Sequence, residues 1–179
     1  MAKDIDICYG MYASKWGLTD FYEESEKKLK DALASGEEFD TGWFGCKKEI
    51  NYARYLCEDG QFHIMVSAHM DELIISDYCD LIDDARCDAG VDEEELCGAE
   101  IEDIAYTALE SGIDDHTDLE ETIPAEGATF ERIVEITNRL EGEAMKNNDD
   151  MYAALTQMIK DYVAIRDSNI EQFEKGEQT

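Results

Sequence analysis

The chain's apolar residues fall into two regimes. Up to about residue 70 alternating stretches flank one helical stretch; beyond it helical spacing, every three or four positions, dominates. Residues 4–12 (DIDICYGMY) alternate and predict a strand. A helix from about 20 to 35 follows, with Thr19 or Asp20 as cap. It has Tyr22, Ser25, Leu29, Ala32 and Leu33 on one face and Gly36 as a stop. Asp59-Gly60 is the residue pair that a two-residue hairpin turn requires. It pairs Cys57 with Phe62, Tyr55 with Ile64 and Ala53 with Val66 on a core face. Tyr52, Arg54, Leu56, His63, Met65 and His69 take the other face.

From residue 71 the period becomes helical. Ile74, Tyr78, Leu81, Ile82, Ala85 and Ala89 form a stripe that ends at Gly90. Asp92 and Glu95 match a capping box, with Val91 and Leu96 as a staple. Cys97, Ile101, Ile104 and Ala108 then line a helix closed by Gly112. Residues 113–128 read as an acidic loop. Two helices follow, one from Thr129 with Phe130, Ile133, Thr137, Leu140 and Ala144 inward. The other starts at Asp149 or Asp150, with Met151, Leu155, Met158, Tyr162, Ile165 and Phe173 as its stripe. The expected fold class is α+β: a small, mainly antiparallel sheet (β-α-β-β) followed by a helix-rich C-terminal half. We expect one domain over 1–179, with a sheet portion at 1–70, an acidic helical portion at 71–128 and a helical hairpin at 129–179.

Charge changes the picture most. The 179 residues carry 45 acids against 15 bases, a net of −30. Asp71 to Glu126 holds 21 of the acids and one base, Arg86. Such a surface opposes nonspecific binding to nucleic acid or to an anionic membrane. No apolar run approaches the roughly 18 residues of a membrane span. MAKDIDICYG has no charged-then-apolar signal pattern, so a cytoplasmic location and reduced thiols at the six cysteines are expected.

On the helix expected at 71–89, Asp77, Asp80, Asp84 and Asp88 share the face opposite the apolar stripe. Like charges at this spacing each cost a few tenths of a kcal/mol, roughly, so their retention calls for a reason. Seven acids over 19 residues place one carboxylate per about 4 Å of helix. One DNA strand presents a phosphate about every 3.4 Å. The alternative is a solvated face of an acidic helix. The candidate partner-binding residues are Asp77, Asp80, Asp83, Asp84, Asp88, Asp92, Glu93, Glu94, Glu95, Glu102, Asp103, Glu110, Asp114, Asp115, Asp118, Glu120 and Glu121.

Other chemistry finds little support. Residues 114–125 begin like a calcium loop but place Leu119 where glycine belongs and Ala125 where glutamate belongs. His63 and His69 share a strand face but stand about 20 Å apart along it, too far for one metal ion. Ser25 and Lys28 match S-x-x-K only as chance allows, and neither a nucleophile elbow nor a phosphate-cradling glycine loop occurs. No catalytic residue, metal ligand or cofactor is therefore assigned. Gly42-Trp43-Phe44-Gly45 is either an exposed anchor or, as we expect, a bulge with both rings in the core.

Size, acidity, lack of catalytic motifs and an α+β build together resemble the small antagonists made by phages and mobile elements. Among these are anti-CRISPR proteins and anti-restriction DNA mimics. The segment Asp71–Glu126 carries the resemblance. It implies a non-enzymatic inhibitor whose partner is a nucleic-acid-binding enzyme, such as a CRISPR effector nuclease, with acids occupying its DNA groove. It also implies residence in the cytoplasm of a bacterial host. Two other classes compete: an acidic adaptor that dimerises through its last helix, and a metal-dependent enzyme with an acid-lined site.

Overall fold

The computed structural model describes residues 2–7, 21–46, 51–70, 78–92 and 94–177. Strand β1 (Lys3–Asp4) is followed by helix α1 (Glu23–Ser35), then by β2 (Phe39–Asp40), β3 (Phe44–Cys46), β4 (Asn51–Glu58) and β5 (Gln61–His69). Helices α2 (Tyr78–Ala89) and α3 (Gly98–Glu110) precede β6 (His116–Pro124). A helix of 48 residues, α4 (Phe130–Glu177), closes the chain. The fold is α+β. Among the described residues the strands run β1-β2-β4-β5-β6, with β3 also on β4, and only β1–β2 is parallel.

The chain folds as two compact units. One holds residues 1–74 and 116–148, the other 75–115 and 149–179. In the sheet unit, the hairpin has the predicted register: Cys57 faces Phe62, Tyr55 faces Ile64, and Ala53 faces Val66. Both turn residues adopt positive φ, 49° at Asp59 and 73° at Gly60. That backbone twist suits the strands on either side, and only the glycine adopts it without a Cβ penalty. One sheet face is the core. Tyr55, Phe62, Ile64 and Val66 are fully buried there with Leu29 of α1 and Ile133, Ile136 and Leu140 of α4. Each such side chain contributes about 1.5–3 kcal/mol of burial. Three polar pairs tie this layer together. The Tyr55 and Thr137 hydroxyls lie 2.8 Å apart, the Asn51 amide donates to Glu141 at 2.6 Å, and the Asn148 amide donates to the Ala68 carbonyl at 2.7 Å.

Four expectations are corrected. Residues 113–128 are not a loop, because His116–Pro124 pairs with β5 along its whole length, from Gln61↔Pro124 to His69↔His116. Its acidic alternation hides the strand. Leu119 and Ile123 pack toward the core, while Asp118, Glu120 and Thr122 face outward. The two C-terminal helices are one, with Lys146 to Asp150 helical throughout, so the expected hairpin does not form. The box at Asp92–Glu95 makes only a turn. The helix starts at Gly98, where Cys97 and Glu100 form the capping box. Finally, Phe44 is buried but Trp43 is half exposed, so the two rings part company. The expected strand continuation and cap between residues 8 and 20 lie outside the described residues.

Candidate interaction surface

The helical unit is built around an apolar seam. Leu81, Ile82 and Ala85 of α2 are buried, as are Ile104, Ala105 and Ala108 of α3 and Leu155 and Ile159 of α4. Val91, Leu96 and Ile113 cover the ends. Inward apolar positions at helical spacing force the intervening acids outward. Asp80, Asp83, Asp84 and Asp88 of α2 are exposed, as are Glu102, Asp103 and Glu110 of α3. Asp92, Glu94, Glu95 and Asp114 are exposed in the connections, and Asp115 is half-buried. Asp77 and Glu93 fall outside the described residues. This unit carries 22 acids against four bases, a net of −18, leaving −12 for the larger sheet unit.

The two arginines among these bases do structural work. Arg86 is nearly buried, and its guanidinium donates to the Val91 carbonyl at 3.3 Å, closing the C-terminal end of α2. Its Nε lies 3.8 Å from Asp83. Arg166 of α4 donates to the Glu95 carbonyl and sits 3.2 Å from Glu100. The Cys97 backbone N–H, with Arg166 second, holds the Glu100 carboxyl below the usual carboxylate range. On α4, Tyr152 is pushed up to about 12, first by burial, then by its hydrogen bond to Asp88 and the nearby charge of Asp84. Both arginines of this unit are thus turned toward the scaffold, while Lys160 and Lys175 are exposed on α4.

Three predicted residues belong elsewhere. Asp118, Glu120 and Glu121 lie on β6 in the sheet unit. Glu120 lies 2.7 Å from His63 Nδ1, and Asp118 lies 3.4 Å from His116 Nε2. Glu121 points to the opposite face and pairs with Arg139 of α4. A calcium loop over 114–125 is incompatible with this strand. Such a loop curls around its ion, whereas residues 116–124 are extended along β5.

Composition and charge do not single out Tyr106 and Leu109. Both are exposed on α3, at 68% and 52%, among Glu102, Asp103 and Glu110. The signal was available, because positions 106 and 109 fall off the stripe set by Ile104 and Ala108. Side by side, exposed carboxylates and a few apolar groups suit a protein partner with a basic, partly apolar cleft. Among the described residues, no helix is long and apolar enough to cross a membrane. Compared with family models, curated proteins and solved structures, the chain matches none.

Proposed function

We propose that the protein is an inhibitor of a nucleic-acid-binding enzyme, of the anti-CRISPR kind. Its helical unit enters the DNA groove of a CRISPR effector nuclease in place of phosphate. The observation that carries this reading is the separation of charge within that unit. The apolar faces of α2 and α3 are buried against each other, while Asp80, Asp83, Asp84, Asp88, Glu102, Asp103 and Glu110 are exposed. A folded helix holds its carboxylates in a fixed row, so a groove lined with lysine and arginine meets a preorganised polyanion. Long-range attraction would speed the encounter, and added salt would weaken it.

The test is capture of tagged protein by a panel of guide-RNA nucleases and restriction enzymes. Capture at low salt, reversed by competing duplex DNA and by salt, is the expected result. Capture indifferent to both would point to apolar contacts and would end the mimicry reading.

A further inference from the structure

Strand β6 brings together two histidines that stand far apart in the sequence. His69 and His116 are directly opposed in the β5–β6 register. Both lie on the sheet face away from the core. Their rings stack with centroids 5.3 Å apart and planes inclined by 27°. Tyr52 sets its ring edge-on to His69 at 5.5 Å. Asp118, two residues along β6 and on the same face, places Oδ2 3.4 Å from His116 Nε2.

The spacing of His116 and Asp118 is that of two ligands on one small tetrahedral ion, and the His69 ring lies beside them. Zinc bonds imidazole nitrogen at about 2.0–2.1 Å and carboxylate oxygen at nearly the same length. Two such atoms at a tetrahedral angle lie roughly 3.3–3.4 Å apart, matching the separation of His116 and Asp118. Adding about 1.1 Å from nitrogen to ring centre, two imidazoles on one zinc ion have centroids about 5.2 Å apart. His69 and His116 already stand at that distance.

We propose that His69, His116 and Asp118 form a binding site for a transition-metal ion of the zinc type. Two imidazoles and one carboxylate would hold the ion, leaving a coordination position open to solvent. Binding turns the His69 ring so that one nitrogen joins the other two donors, and Tyr52 backs the ring as it turns. Borderline-soft imidazole selects this class of ion over magnesium and calcium, which prefer oxygen ligands alone. The net charge of −30 concentrates any cation near the surface, so selectivity rather than mere binding distinguishes the site.

The experiment is a titration of the full chain with Zn²⁺ and with Co²⁺, both in excess Mg²⁺. Calorimetry follows zinc, and visible absorption follows cobalt. The expected result is one equivalent bound, with a cobalt spectrum lacking the near-ultraviolet band of thiolate ligation, which separates this site from the six cysteines. His69→Gln and His116→Gln should each weaken zinc binding by about a hundred-fold, at the upper end of the 10–100-fold that loss of a mere supporting group costs. Asp118→Asn should weaken it less. The remaining histidine supplies the control: His63→Gln, with the same residue change on the same face, should leave affinity unchanged. Far-UV circular dichroism establishes that each variant is folded. Failure of Zn²⁺ to bind over Mg²⁺, a thiolate spectrum, or equal affinity in the folded histidine variants would overturn the assignment.

Discussion

Single side chains set the responses of this protein to pH. Asp40 receives the Arg54 guanidinium on both carboxylate oxygens, at 2.9 and 2.5 Å, and the Gly42 backbone N–H at 2.8 Å. The Arg54 hydrogen bonds hold its carboxyl below the usual range. A group with a lowered folded pKa contributes full stability above its unfolded value and loses it as pH falls through the folded one. Asp40→Asn should therefore cost about 0.5–1 kcal/mol at neutral pH, as partly exposed pairs do. The difference from the native chain should close in acid, as urea melts across pH will register. Tyr152 behaves in the opposite sense. Its folded pKa is raised to about 12, so its contribution is complete below the ordinary tyrosine value and lost as pH climbs toward 12. Tyr152→Phe should lose less stability than the native chain between roughly pH 10 and 12. An equal loss in both would contradict the assigned burial and Asp88 contact.

At the scale of elements, the hairpin was legible because its signals agree. Alternation, the Asp59-Gly60 turn and aromatic-rich strands all specify one register. Strand β6 was not legible, since Asp118, Glu120 and Glu121 dominate a segment whose only strongly apolar positions are Leu119 and Ile123. Pairing with β5, not local preference, makes it a strand. The same effect joins the last two helices. Asn147, Asn148 and two aspartates suggest a break. Asn148 instead donates to the Ala68 carbonyl and accepts from Thr117, anchoring that turn to the sheet. Beyond Arg166, by contrast, residues 167–176 of α4 are exposed on every side. Their amides should exchange with solvent much faster than those of 133–148, where Ile133, Ile136 and Leu140 are buried. Hydrogen exchange read by mass spectrometry or NMR will show this gradient. Uniform protection along α4 would contradict it.

For the molecule as a whole, charge is what the sequence states most plainly, but it does not show where the charge resides. Counting acids placed the candidate residues in one segment, Asp71–Glu126. The fold divides them, leaving most in the helical unit and placing Asp118, Glu120 and Glu121 on the sheet. Linear sequence cannot reveal that division, because it depends on β6 pairing with a strand some 50 residues upstream. The histidine pair was hidden for the same reason, with His116 read as part of a loop. What survives is a helical unit with an apolar interior, acids outside and its arginines engaged with the scaffold. The central claim is that these acids act as a phosphate substitute. It is tested most directly by measuring the affinity of a captured nuclease for the native chain and for Asp80→Asn/Asp84→Asn/Asp88→Asn over a range of salt concentrations. We predict a steep fall in native affinity with salt, and for the triple variant both a loss of about ten-fold or more at low salt and a shallower slope, as fewer charges meet the basic groove. The same affinity and the same slope in the folded variant would contradict the claim.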